Sequence, residues 1–516
     1  MFYDLFRKNK LFLFSFLILC NGILVDLKAN NIISNNNNFL RNQKPISAPN
    51  KVNNKNDLLL VSLKPYLGQF ANEDITTEDL KLLSAGENLI LRDSKGIIHK
   101  SSNIVIGWEK KYLKTPFNVV RKIRGPFSSF ESAQQFAKKL ENLGIQSVIA
   151  HPKNWEVWVP QHVHVPKKFD MKTFVENVDF VVQPVLKVRG NKLLLLGPIS
   201  IEANNGLLWG GGIYRGPFLL KPDAYGSWTF IEQLRLSEYL KGVVPHEIGS
   251  ASPQNALAAQ AVLARTWAVA NSHRFRVDGY HLCSNTQCQV YKNPNEATDE
   301  VIKAIEQTVG KVLIWNNKPI HAVYHATNGG VMGSASEAWS MSSLPYLVPV
   351  FDGPNEWRDK FRLPLQSNSE LKHFLSYRQG AFGTNHYRFR WRRVLTAKEI
   401  KNALTSFSTN FDVPISVKVH ERGVSGRVIA LQIVGSQNSS QIIIRLDNIR
   451  RIFKNLPSTL FVVNQLREGV WEFSGGGFGH GVGLSQAGAI DLAGRGWSVQ
   501  KILMHYYPGT EYETLP

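Results

Sequence analysis

The chain has 516 residues, 43% hydrophobic and 19% charged, which fits globular material in two or three domains and excludes a disordered chain. Sixty Lys+Arg against 40 Asp+Glu give a formal net charge of +20, which favours an anionic partner such as nucleic acid, a membrane face or a wall polymer. The basic residues are scattered and no zinc-finger, helix-turn-helix or RNP-type pattern occurs, so nucleic acid is not expected as a partner.

At the N-terminus, Arg7, Lys8 and Lys10 precede an apolar run from Leu11 to Val25. A basic segment followed by an apolar core of roughly 15 residues reads as a secretion signal over 1–29, or as an uncleaved membrane anchor. Cys20 lacks the small residue before it that a lipoprotein cleavage site requires. Export to the periplasm or cell wall is therefore expected. Residues 30–56 are rich in Asn and Lys without periodicity, and read as a flexible linker.

A small α+β module is expected over 57–165. Its clearest part runs from a strand at Phe117 to Ile123, through a break at Gly125-Pro126, to a helix. Ser128 and Glu131 stand at capping-box spacing before that helix, and Gly144 stands where a C′ glycine belongs. Strands follow at Ser147 to Ala150 and Glu156 to Val159. This β-α-β-β stretch, centred on "GPFSSFESAQQFAKKLENLG", resembles half of a SPOR module around 117–159. That family binds peptidoglycan strands stripped of their peptides.

A larger α+β domain is expected over 187–516. Strands are read at Lys192 to Leu196, Leu207 to Tyr214 and Trp228 to Leu234. Ser252 and Pro253 then occupy N-cap and first-helical positions for a long Ala-rich helix. Strands at Lys311 to Trp315, Ile320 to Ala326, Ile415 to His420, Val428 to Val434 and Gln441 to Leu446 follow. A glycine-rich turn, a helix near Ser485 to Ala493 and a helix ending at Pro508 close the chain.

Glu247 lies in "YLKGVVPHEIGSASPQNALAAQAVLARTWAVA", flanked by Val243, Val244, Pro245 and Ile248, and reads as sitting in a loop before the long helix. Apolar flanks would desolvate the carboxyl and raise its pKa, whereas the helix N-terminus would favour the carboxylate. From local composition alone it reads as a helix-terminus Glu.

The order of motifs adds more. After this segment come "CQVY" (Cys288 to Tyr291), "YHATNGGVMGSASEAW" (Tyr324 to Trp339), "LPYL" (Leu344 to Leu347), "GFGHGVGLSQAGA" (Gly477 to Ala489) and "ILMHYYPGT" (Ile502 to Thr510). Together they resemble the SpoIID family, stage II sporulation protein D and its amidase-enhancer relatives, called LytB. The resemblance covers 187–516. It implies a strand-rich catalytic domain with a long Ala-rich helix, and a lytic transglycosylase that cuts between N-acetylmuramic acid and N-acetylglucosamine without water. One glutamate protonates the leaving oxygen, then takes the proton of the sugar's own 6-hydroxyl, so a second carboxylate is not needed.

Glu247 falls on the family's catalytic position, and Gln260 and Arg265 fall in its helical motif. Arg265 could orient a sugar carboxylate or Glu247, or form a structural ion pair. Family members often carry Lys where this chain has Ala258. Tyr324, His325, Asn328, Gly329 and Gly330 are expected at the cleft, the glycines by close backbone approach. His480 and Gln486 are expected on a glycine-rich cleft wall that lacks P-loop and dinucleotide spacing. Cys283 and Cys288, with His281, could hold a structural zinc as in some relatives, or the thiols could be free or form a disulfide. Relatives often have His directly before the second Cys, where this chain has Gln287. The chemistry itself requires no cofactor. Expected partners are glycan strands and, if the chain is an activator instead, a cell-wall amidase.

Overall fold

The computed structural model describes residues 46–53, 56–69, 78–405, 411–437, 440–454 and 456–515. The expected secretion signal and most of the 30–56 linker lie outside them. Residues 46–53 depart from the expected tether. Ile46 and Val52, the apolar residues of the stretch, are buried in the body, and the Asn50 carbonyl meets His281 Nε2 at 2.7 Å. Among the described residues no helix is long and apolar enough to cross a membrane.

Two large sheets carry the fold. In the first, strand Leu58–Leu67 lies between Trp228–Arg235 and Leu282–Cys283, and the sheet continues through Phe218–Pro222, Ile199–Glu202, Leu89–Arg92 and Ile98–Ser101. In the second, the long strand Asn103–Phe127 pairs with Leu80–Ser84, Trp155–Pro160 and Lys172–Val188. The expected boundary between 165 and 187 therefore does not divide the packing. Leu59 and Leu234 are ladder partners, so the first described strand completes the sheet of the later segment.

Helix α1 (Phe130–Glu141) begins one residue later than its spacing suggests. Ser129, not Ser128, is the N-cap and accepts from the Ser132 N–H at 3.2 Å. Glu131 is released from capping and turns inward to Arg274. The strands expected around α1 are present, but α1 does not fold against them alone. Phe130 meets Trp155 edge-on at 5.1 Å, Trp155 meets Phe275 at 5.1 Å, and this cluster reaches Cys283.

Helix α2 (Leu236–Ile248) contains Glu247 in its last turn, where the sequence suggests a loop before the long helix. Tyr239, Leu240, Val243 and Val244 fall on successive helical turns and are fully buried, and this 3.6-residue pattern overrides the β-branched valines. Gly249, at φ +85°, ends the helix. Helix α3 (Gln254–Asn271) starts after Pro253, and every residue from Ala256 to Ala268 is buried. Its small side chains let α2, α4 (Asp299–Gln307), α5 (Gln486–Gly494), α6 (Val499–Tyr506) and strand Lys311–Trp315 approach on all sides. Ala258 faces this core, with no exposed surface.

Residues Val482 to Tyr507 share the core of α3, whereas Trp391 to Phe473 form a core of their own. The second core lies between two three-stranded sheets, Trp391–Thr396 with Val470–Gly475 and Phe461–Arg467, and Pro414–Arg422 with Val428–Gly435 and Gln441–Arg445. The sequence reading has one domain over 187–516; the structure inserts a lobe into it.

Candidate active site

The carboxyl of Glu247 is half-buried at the C-terminal end of α2. The residues around it come from the turn after the Cys283–Cys288 disulfide, whose sulfurs close a loop five residues apart. Directly after Cys288, the other three residues of "CQVY" each have a separate task. Gln289 receives a hydrogen bond from Tyr239 Oη on its Oε1 at 3.2 Å and donates from Nε2 to Tyr324 Oη at 3.0 Å. The Val290 N–H donates to Glu247 Oε1 at 2.8 Å. Tyr291 stacks on Tyr239 at 5.2 Å and donates to Glu232 at 2.7 Å, which fixes the turn. Gly242 of α2 makes the approach possible. A Cβ there would lie 2.4 Å from the Tyr291 ring and 2.6 Å from the Lys292 carbonyl.

Tyr324 completes the set by donating to Glu247. Burial, followed by the Glu247 charge, raises the Tyr324 hydroxyl well above its ordinary pKa, so it stays protonated and remains a donor. The chain of donors thus runs in one direction, Tyr239 to Gln289 to Tyr324 to Glu247. Burial pushes the Glu247 carboxyl above the usual carboxylate range, against the opposing pull of the Val290 N–H and the Tyr324 hydroxyl. Among the described residues no Lys or Arg pairs with it. A carboxyl held this way carries a proton further towards neutral pH than a surface glutamate and can donate it.

Strand Tyr324–His325 runs parallel to Leu484–Ser485, so the glycine-rich loop lies alongside Tyr324. His480 Nε2 meets the Tyr324 carbonyl at 2.8 Å, and its Nδ1 accepts from the Val482 N–H at 3.1 Å. With both ring nitrogens occupied and its pKa brought down to about 4 by burial and by Arg450, His480 is a neutral support for the Tyr324 backbone. Trp339 packs on its ring at 4.9 Å. His325 is buried, with Nδ1 on the Val482 carbonyl at 3.1 Å. Gln486 Nε2 donates to Gln260 Oε1 at 3.3 Å, joining α5 to α3.

Other expected contacts are placed elsewhere. Arg265 points away from Glu247 and donates to the Lys311 carbonyl at 3.0 Å and the Ile305 carbonyl at 3.5 Å. It satisfies one carbonyl in the last turn of α4 and one at the start of the strand that follows, and among the described residues it neither orients the acid nor forms an ion pair. Asn328 is fully buried and donates to Asp352 at 2.6 Å, and Asp352 also meets His505 at 2.8 Å. Gly329 and Gly330 adopt φ of +71° and +95°, and a Cβ on Gly329 would strike the backbone of Gly476 and Gly477 at 2.7 Å. Gly329 closes on the glycine-rich loop, and Gly330 on the rings of Trp357, Phe374 and Phe389. Of the alternatives at the two cysteines, the structure has the disulfide. Cys283 and Cys288 are bonded to each other, and both nitrogens of His281 face backbone groups, the Leu60 N–H at 2.9 Å and the Asn50 carbonyl at 2.7 Å. Among the described residues no group of three metal-ligating side chains assembles. Gln289, Val290 and Tyr239 are the site residues that the sequence reading misses. The pairing of "CQVY" with "YL.GVVP.E" marks them only once Cys288 is known to be tied back.

The site defines an α+β domain in which a desolvated carboxylic acid is presented at the end of a helix packed on an Ala-rich helix. Residues 224–315 match the family model described as Stage II sporulation protein, SpoIID, and residues 333–483 match one described as a domain of unknown function (DUF8618). The chain is 30% identical over 290 residues to an amidase enhancer of Bacillus subtilis, covering 52% of this chain and 40% of that protein. It is 26% identical over 300 residues to stage II sporulation protein D of the same organism, covering 54% and 75%. An uncharacterized protein of Brachyspira hyodysenteriae is 26% identical over 319 residues, covering 61% and 76%. Residues 224–315 thus form a SpoIID domain, and these relatives tie that domain to the SpoIID/LytB family.

Proposed function

We propose that this chain acts outside the cytoplasm on the cell wall, as a lytic transglycosylase that cuts peptide-free glycan strands. The observation that carries the reading is the Glu247 carboxyl, raised by burial and served, among the described residues, by the Val290 N–H and the Tyr324 hydroxyl. In the first step the protonated carboxyl gives its proton to the glycosidic oxygen as the bond to the anomeric carbon breaks. In the second, the resulting carboxylate takes the proton of the 6-hydroxyl, whose oxygen bonds to that carbon and closes a 1,6-anhydro ring. The acid is thereby restored. The Val290 N–H and Tyr324 hydroxyl stabilise the carboxylate between the two steps.

Incubation with purified peptide-free glycan strands, followed by mass analysis, tests this. The expected products carry anhydro ends and are absent with Glu247→Gln. Hydrated reducing ends, or no cleavage with binding retained, would overturn it. The latter result would favour a second reading, an activator of a wall amidase, which rests on the name of the Bacillus subtilis relative.

A further inference from the structure

Between Glu370 and Glu399 the chain has no acidic residue, and it carries arginines at 378, 388, 390, 392 and 393. Four of these have polar partners. Arg378 donates to the His386 carbonyl, Arg390 to five backbone carbonyls, Arg392 to Glu472 and Arg393 to the Arg392 carbonyl. The Arg388 side chain has no polar partner among the described residues, and its Nε is buried without one. It lies across two aromatic faces, 5.2 Å from the Tyr387 centroid and 5.1 Å from Phe478. His386 stacks on Tyr387 at 4.8 Å, and the Tyr387 ring is 68% exposed.

This platform is joined to the acid by a short stretch of backbone. Phe478 and Thr327 exchange hydrogen bonds of 2.7 and 3.2 Å, and Tyr324, three residues before Thr327, touches Glu247. Three residues span at most about 11 Å. A guanidinium fixed by stacking, with its donors unused, is suited to a planar carboxylate, and exposed aromatic rings are suited to sugar faces.

We propose that Arg388, seated on Tyr387 and Phe478, is a subsite for the free carboxylate of a sugar acid in a glycan strand bound across Glu247. The inference rests on the glycan-cleaving reading for its ligand. A muramic acid bears such a carboxylate only where no peptide is attached, because a stem peptide converts it to an amide. Arg388 is then the residue that distinguishes peptide-free from peptide-bearing strands.

The test measures equilibrium binding by the full chain carrying Glu247→Gln, so that cleavage plays no part. The probes are peptide-free glycan strands with carboxylates intact and the same strands amidated with methylamine. The expected result is at least a tenfold preference for the intact strands, weakened by salt. Adding Arg388→Gln should reduce the preference to less than twofold, whereas adding Tyr387→Ser should weaken both probes alike. If Arg388→Gln loses the native circular dichroism spectrum, Arg388→Lys decides, with an expected preference of a few fold. An undiminished preference in the folded Arg388 variant, or none in the Glu247→Gln parent, overturns the inference. If the unmodified chain does not cut glycan yet shows the preference, the cleavage reading fails and the subsite stands.

Discussion

The backbone N–H of Val290 donates to Glu247 Oε1 across 2.8 Å, and Val290 stands two residues beyond a cysteine bonded to Cys283. Cys283 lies in a strand paired in parallel with Leu58–Leu67, where it is the ladder partner of Ser62. The position of one donor to the acid therefore depends on a sheet that begins near the N-terminal end of the described chain.

Replacing Glu247 with Gln should lower cleavage at least about 100-fold, the range lost with a general acid. The same change should raise Tm. A carboxyl whose folded pKa lies above its unfolded value costs stability as pH rises from the unfolded pKa through the folded one. The Tm difference between Glu247→Gln and the parent should therefore be small at pH 4 and grow towards pH 7. A difference independent of pH would contradict the burial assigned to Glu247.

Tyr324→Phe removes a donor that pulls the Glu247 pKa down. The alkaline limb of the kcat profile, where the acid loses its proton, should move to higher pH. The rate at its optimum should fall about tenfold, since the hydrogen bond is worth roughly 1 kcal/mol or more. A shift to lower pH would reverse the assigned direction of the bond.

Opening the disulfide through Cys283→Ser with Cys288→Ser should cost about 2 kcal/mol by loop-closure entropy. It should also lower kcat more than it raises KM, because Gln289 and Val290 serve the acid rather than the distant parts of a strand. Equal losses in both would show that the pair is not a positioning bond.

Arg265→Met leaves two buried carbonyls without their donor and should destabilise the fold by roughly 2–3 kcal/mol. Below the unfolding transition, kcat/KM should stay within about twofold of the parent. A large loss of kcat in a folded variant would return Arg265 to the substrate.

The order of motifs in the sequence identifies Glu247, Tyr324 and the glycine-rich loop, and the strand and helix periods recover most elements on either side of them. What it cannot carry is direction. Nothing in "ALAAQAVLARTWA" shows that Gln260 faces α5 while Arg265, five residues on, faces the end of α4. Nor does local pattern show that Val243 and Val244 are helical, because their β preference is overridden by burial of one face against α3. Glu131 has capping-box spacing with Ser128, but Arg274 and His321 lie 143 and 190 residues further along, and only the fold brings them to it. The inserted lobe is invisible for a similar reason, since its strands alternate like those of the surrounding domain.

That lobe leaves and returns through neighbours already bonded to each other. Gly333 donates to the Gly481 carbonyl at 2.8 Å, and Thr327 pairs with Phe478. The strands and helices from Trp391 to Phe473, between these two closures, build a core of their own, so they can lengthen, shrink or be exchanged without a new crossing of the parent chain. Divergence therefore has a ready place to act, while the setting of Glu247 is left intact.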